Sequence, residues 1–410
     1  MLDTGNITFM LLCSALVMLM TPGLAFFYGG LVGRKNVITI MMQSFAAMAV
    51  ADIIWFSVGY SLCFSGGHGA VIGNLDHVFL VGITPATTMP GNDTIPLFVF
   101  IVYQMMVAVI TPALISGAFT NRVHFKAYLV FFVAWLFLVY FPFVHMVWGD
   151  GLLAAWGVKD YGGGIVVHAS AGMAALASVL YVGRRSTNKK DPAHNLPLFA
   201  IGAAFLWFGW FGFNAGNQLA ADAVTVTAFF NTNLSASVAA FTWLLLTWIF
   251  EKKPKMVGML TGALAGLVAI TPCCGFVTPA SAMAIGLIAG LVCYAAIWWK
   301  NKKNLDDALD VWGIHGVGGI TGVILLGILG TTTVNTAGSN GLLFGGTTFF
   351  GLQLTAVLIV SIWAFVFTYL MLWIINKITP VRIPEEEQEN LDELIHGETA
   401  YKDEPGGFPT

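Results

Sequence analysis

The sequence predicts an all-α polytopic membrane protein of eleven transmembrane helices, with an inverted repeat of helices 1–5 and 6–10 plus an extra eleventh helix. Three observations predict it. Of the 410 residues, 57% are hydrophobic and only 10% charged, whereas soluble domains carry about a quarter charged residues. The apolar residues gather into runs of bilayer length. Two of those runs, DYGGGIVVHASAGMAA from Asp160 and DVWGIHGVGGITG from Asp310, share one pattern: a carboxylate, then an apolar glycine-rich segment holding a single histidine.

Taken in order, the runs cover 7–31, 37–62, 97–119, 127–147, 161–183, 197–216, 225–250, 256–276, 279–299, 311–331 and 349–376. Each is about the length that a hydrocarbon core of about 30 Å requires. The loops set the orientation. All but Lys159 of the 18 basic residues fall on one side, in the clusters at Arg34, Arg122, Arg184, Lys252, Lys300 and Lys377 and around Lys189, Lys190 and Lys402. The positive-inside rule therefore predicts an external amino terminus and a cytoplasmic carboxyl terminus, in a plasma or inner membrane. The first run follows MLDTGN, lacks a basic n-region and outlasts a signal h-region, so it is expected to be retained. Residues 1–376 form the membrane domain and 377–410 a cytoplasmic tail. Five cysteines form no CxxC pair, so they read as small packing residues, with no disulfide framework or zinc site. Neither a cofactor nor a nucleic-acid partner is expected.

Spans one to five and six to ten divide into two halves of opposite orientation. His168 and His315 fall in the last span of each half. His168 has Ala171, Gly172 and Ala175 at i+3, i+4 and i+7, and His315 has Gly318, Gly319 and Gly322 at the same offsets. At helical spacing these form one face, so each histidine heads a strip that something can approach closely. Ideal straight helices entering from opposite leaflets leave the two rings roughly a couple of turns apart along the membrane normal. An intramembrane histidine either satisfies a polar group in the bundle or works in a pathway; two at repeat-related positions favour the pathway. Neutral imidazole is both donor and acceptor, so a pair suits a lumen that passes hydrogen bonds or protons.

TPGLAFFYGGLVGRKN at 21–36, QMMVAVITPALISG at 104–117, HMVWGDGLLA at 145–154, WFGFNAG at 210–216 and the two histidine stretches occur in one order along the chain. Together they resemble the ammonium transporter (Amt/Mep/Rh) family, and PGLAFFYGG with Trp148 points to its Amt branch. The resemblance implies a homotrimer in the lipid bilayer whose subunits each conduct ammonia from recruited ammonium, without enzymatic chemistry. A neutral gas channel of the Rh type and an ammonium sensor are the alternative readings.

The same resemblance implies the site. His168 and His315 match the family's twin pore histidines. Trp148 matches the vestibule tryptophan that offers its π face to ammonium, worth about 0.5–2 kcal/mol; by itself it reads equally as an interfacial anchor. Asp160 matches the aspartate near the recruitment site, where it either favours a cation or caps a helix. Phe213 matches one of two stacked gate phenylalanines. Two positions depart from the pattern. Val107 stands where the other phenylalanine is common, leaving Phe213 or Tyr103 to compensate, and Asn217 stands where a serine usually faces the cation. Asp52, also within a span, reads as a structural hydrogen-bond partner.

The tail segment PEEEQENLDELIHGETAY is acidic and periodic enough for a short helix. Its resemblance to the family's carboxyl-terminal region implies contact with a neighbouring subunit and a docking face for a PII-type signal protein. Asn390 replaces the usual glycine there, which bears on any hinge that needs a positive φ.

Overall fold

The computed structural model describes residues 1–66, 69–185 and 193–401. Lys189, Lys190, Lys402 and the rest of the tail to Thr410 lie outside the described residues. The architecture is all-helical. Its helices, in chain order, are α1 (Thr4–Leu31), α2 (Val37–Phe64), α3 (Leu97–Gly117), α4 (Phe125–Trp156), α5 (Gly164–Val182), α6 (Leu196–Gln218), α7 (Ala223–Glu251), α8 (Met256–Ile270), α9 (Pro279–Lys302), α10 (Trp312–Leu329) and α11 (Thr347–Ile378). Ten of these, among the described residues, are long and apolar enough to cross a membrane; α8, with 15 residues, is shorter. The span expected at 256–276 therefore differs in kind. Its second part, residues 271–277, leaves the helix in a series of turns and is buried throughout. Non-helical backbone at that depth survives only where protein covers it.

Local chemistry explains the starts. Asp3 caps α1 by accepting from the Asn6 N–H at 2.8 Å, Asp222 caps α7, and Thr278 caps α9 ahead of Pro279. Between α2 and α3 the chain makes a small antiparallel hairpin, β1 (Thr88–Met89) with β2 (Asn92–Pro96). At the centre α1 lies against α6 almost backbone to backbone. A Cβ on Gly202 would sit 2.2 Å from the Phe27 nitrogen, and one on Gly30 would sit 2.5 Å from that of Phe199. Lipid tails are as apolar as leucine, so such close contact of small residues, rather than hydrophobic contrast, holds membrane helices together.

The tail is folded onto the body. Ile383 N–H donates to the Arg122 carbonyl, His124 N–H to that of Val381, and the Asp392 carboxylate accepts from the N–H groups of Ile38 and Thr39 at 3.0 and 2.7 Å. The expected short helix takes the form of two turns, a 3-10 turn at Glu385–Glu387 and a π turn at Asp392–His396. The glycine of positive φ is Gly397 at 67°, and Asn390 is not left-handed. The replacement at 390 therefore costs no backbone strain.

Candidate functional site

α5 and α10 start at opposite ends of the bundle. The residues before α5 meet Trp148 at the end of α4's long run, while those before α10 bond to Gly117 and Ala118 at the far end of α3. Each helix opens with a π-helical turn, Gly164–Ala169 and Trp312–Gly316, and each turn contains its histidine. Such turns carry one residue more per hydrogen-bonded ring than an α turn and often mark functional positions. The helices cross where side chains are smallest. A Cβ on Gly172 would sit 2.0 Å from the Gly316 nitrogen, and one on Gly319 would sit 2.8 Å from the His168 Cβ. What approaches each small-residue strip closely is the other histidine helix. The rings consequently meet, with Nδ1 to Nδ1 3.2 Å apart and centroids 5.3 Å apart.

That contact fixes protonation. Two facing Nδ1 atoms make a hydrogen bond only if one carries a proton and the other does not. A neutral pair therefore holds opposite tautomers, one Nε2 being an acceptor and the other an N–H donor. His168 is 2% exposed and its Nε2 takes no hydrogen bond among the described residues. A buried polar atom without a partner costs on the order of 1–3 kcal/mol, so it is a place for a small polar guest.

The guest's space is there. Beside the rings runs a narrow cavity of ≈ 20 Å³, lined by Met20 and Leu24 of α1, Ile110 and Leu114 of α3, and Trp210 and Phe213 of α6. This is about the room of one water-sized molecule. Trp210 stacks on His168 at 5.4 Å and is fixed by its Nε1–H to Thr271 Oγ1 at 2.9 Å; the Phe213 ring lies 6.1 Å from His168. Tyr103, Val107, Ile110 and Leu114 are spaced four, three and four residues apart, which is one face of α3. Val107 thus continues the cavity's α3 wall by one turn.

Both histidine turns are capped by aspartate. The Asp160 carboxylate accepts four backbone N–H bonds, from Gly163, Gly164, Ile165 and Val166 at 2.7–3.2 Å, and its carbonyl accepts the Trp148 indole N–H at 2.8 Å. Those four N–H groups are the unpaired donors of a helix start. At the other end the residue in this role is Asp307, which accepts from Val311 and Trp312 N–H. Burial pushes the Asp307 carboxyl up, Lys300 pulls it down and Asp310 pushes it up again, leaving it at about 6. Asp310, the carboxylate that sequence pattern pairs with Asp160, instead forms an ion pair with buried Lys300 and sits at a positive φ of 59°.

Comparison with known proteins decides the family. A family model, the Ammonium Transporter Family, matches residues 8–401. The chain belongs to that family. It is 44% identical to the Ammonium transporter of Bacillus subtilis over 406 residues, covering 98% of this chain and 100% of that one. It is 41% identical to Ammonium transporter Amt1 of Archaeoglobus fulgidus over 404 residues, covering 98% and 100%. Among solved structures it superposes on Mep2 of Candida albicans with TM-score 0.88 at 33% identity, over 94% of this chain and 88% of that one. It also superposes on a Sensor Amt Protein with TM-score 0.86 at 28% identity, over 97% and 98%.

Within this ammonium transporter the expected site residues divide into two groups. His168, His315 and Phe213 converge on the cavity, and Trp148 and Asp160, which do not line it, are joined to each other by a hydrogen bond. Tyr103 is a strut rather than a free ring. Its hydroxyl donates to the carbonyls of Gly212 and Phe213, and its edge fills the space a Cβ on Gly216 would need. Asn217 donates through Nδ2 to the Phe213 carbonyl at 2.7 Å and to the Tyr103 hydroxyl at 3.1 Å. Because a carbonyl only accepts, the amide nitrogen must be the inward end, which leaves the oxygen as the outward one. Sequence reasoning missed Trp210 and Asp307. Trp210 was signalled by its i, i+3 spacing to Phe213, and Asp307 by lying eight residues before His315, as Asp160 lies before His168.

Proposed function

We propose that ammonium is recruited at an outer vestibule by Trp148, Asn217 and Asp160, loses its proton near Phe213, and crosses as ammonia along His168 and His315 into the cytoplasm. The observation that carries this reading is the His168–His315 pair beside an apolar cavity of ≈ 20 Å³. Bringing a bare cation into such a lumen costs several kcal/mol, on the order of a charge at the bilayer centre. Ammonia is neutral, is of water's size, and both donates and accepts. The unpartnered His168 Nε2 offers it one hydrogen bond. At the vestibule the Trp148 ring is held by the Asp160 carbonyl, and the Asn217 oxygen is turned outward by its two inward donations. The Asp160 carboxylate, spent on four N–H groups, supplies negative charge and a fixed backbone instead of a direct ligand. No covalent chemistry is involved, so the transporter is not an enzyme.

The test is current and uptake in proteoliposomes with ammonium, methylammonium and potassium in turn. Ammonium-dependent transport with potassium excluded supports the reading; potassium conducted at a comparable rate overturns it. Uptake that follows free ammonia alone, independent of ammonium at the outer face, selects the neutral gas channel. The likeness to a Sensor Amt Protein supports signalling as the second reading, which ammonium binding without any flux would select.

The basic residues at the Arg34, Arg122, Arg185, Lys252 and Lys300 ends support an orientation with the amino terminus outside and the tail in the cytoplasm of a plasma or inner membrane. We assign the assembly as a homotrimer and the docked tail as the landing face for a PII-type protein, the tail's ties to residues 36–39 and 122–124 giving a firm platform. Equal PII pull-down after truncation at Lys377 would remove the docking assignment.

A further inference from the structure

α11 carries a buried amide that neither the pathway nor the lipid face uses. Leu358, Ile362 and Val366 of this helix are exposed, as suits hydrocarbon, yet Gln353 is 0% exposed. A primary amide buried in such a helix is unfavourable until both of its ends are hydrogen-bonded. Both ends are. Gln353 Nε2 donates to the Lys159 carbonyl at 2.8 Å, and Gln353 Oε1 accepts the Lys159 N–H at 3.0 Å, across 194 residues of separation. Only this orientation of the amide fits, because a carbonyl only accepts and an N–H only donates. The side chain thus pairs with the N–H and C=O of one residue together, as an opposite residue does in a sheet.

The residue it clamps adjoins the recruitment site. Lys159 lies in the non-helical stretch 157–163 between α4 and α5, immediately before Asp160, whose carbonyl accepts the Trp148 indole N–H. Gln353 therefore holds the peptide that precedes Asp160. The peptide that follows is held separately, by the Tyr161 N–H donating to the Pro272 carbonyl at 3.2 Å and by Trp148 itself. Leu352, next to Gln353, lies against the start of the same stretch, its Cδ1 3.7 Å from where a Cβ on Gly157 would be. On its other side the Gln353 stem packs on α10, where a Cβ on Gly327 would come within 3.2 Å of the Gln353 Cβ. The amide is thus fixed at its root, so it sets where the stretch before Asp160 lies rather than following it.

We propose that Gln353 is a positioning residue for ammonium recruitment: its amide fixes the peptide ahead of Asp160 and, through the Asp160 carbonyl, the attitude of the Trp148 ring that meets the cation. Gln353 touches no ammonium itself, and its role rests on the recruitment reading given above for Trp148. A residue that acts only on the arriving cation governs the ammonium concentration needed for half-maximal transport. The maximal rate is governed elsewhere, by the cavity and the histidine pair.

The test uses full-length protein in proteoliposomes, with Gln353→Met, a variant of like length that has no amide. The half-saturating ammonium concentration should rise about 2- to 30-fold, the span of a lost cation–π contact, while the maximal rate changes by less than about twofold. In mild detergent the indole N–H resonance of Trp148, assigned by its loss in Trp148→Phe, should move or broaden, while that of Trp210, bonded to Thr271, stays in place. Where Gln353→Met fails to fold, Gln353→Asn, which keeps the amide but is one methylene too short to make both bonds, should give the same two changes. A maximal rate that falls with half-saturation unchanged, or a Trp148 resonance at its wild-type position, would overturn the role. Trp148→Leu separates the two readings. Unchanged half-saturation in that variant removes recruitment by Trp148, and the role of Gln353 with it. A rise in Trp148→Leu beside wild-type behaviour in Gln353→Met removes the role of Gln353 alone.

Discussion

Asp160 and Asp307 hold the same post before two different histidines, each eight residues ahead of the ring and each accepting the free N–H groups of the turn that carries it. The ring-to-ring contact is thus supported from both ends of the bundle by carboxyl groups that cap the turns and are not hydrogen-bonded to either ring.

Removing such a cap exposes its cost. Asp160→Ala leaves four donors at a buried helix start, and loss of a capping side chain costs about 1–2 kcal/mol. Thermal unfolding in detergent should show a loss of at least that size, and ammonium transport should fall as the Trp148 indole loses its fixed carbonyl. Full activity with unchanged stability would show that backbone bonding to Asp160 is dispensable.

The histidine pair is tested by deleting both rings. His168→Ala with His315→Ala should leave a folded transporter that has lost potassium exclusion, transport rate, or both. Unchanged rate and selectivity would take the pair out of the pathway.

Val107, one turn beyond the cavity on the same α3 face, is buried at 1% exposure. Val107→Phe adds a ring whose area dominates a constriction. Methylammonium uptake should then drop more than ammonium uptake. An equal drop in both would indicate overpacking, and no drop would place Val107 off the path.

At the Lys300 end, Asp306 accepts three bonds from Arg185 and lies 3.6 Å from the Arg122 guanidinium. Burial pushes its carboxyl up, but the Arg185 hydrogen bonds and the Arg122 and Arg185 charges outweigh it and hold it at about 2, against an ordinary 3.8. A depressed carboxylate stabilises the fold above its unfolded value and loses that contribution as pH falls through the folded one. Asp306→Asn should therefore cost about 2 kcal/mol at neutral pH, with the gap to wild type closing between about pH 4 and about pH 2. A gap that stays constant with pH would mean that the effect is packing alone.

The Asp392 carboxylate caps the start of α2 from the far end of the chain, 1% exposed. Asp392→Ala should loosen the tail, making residues 384–401 open to protease while the membrane helices stay resistant. Equal protease resistance would show that the backbone hydrogen bonds of Val381 and Ile383 to residues 122–124 suffice to hold it.

Composition and spacing alone determined the membrane class, the runs, the two histidines and the family motifs, because each depends on residues near one another in sequence. Tertiary structure decided the rest. Straight-helix geometry leaves the two rings apart; the π turns and the crossing at Gly172, Gly316 and Gly319 bring Nδ1 to Nδ1 across 147 residues of separation. Asp310 looked like the partner of Asp160, yet Asp307 has the carboxylate aimed at free N–H groups, while Asp310 is drawn to Lys300. Tyr103 looked like a ring for the gate, but its hydroxyl is bound by two carbonyls of α6. In each case the sequence supplied groups with unmet hydrogen-bonding capacity, and only the crossing of helices determined which partner lay within 3 Å or so to meet it.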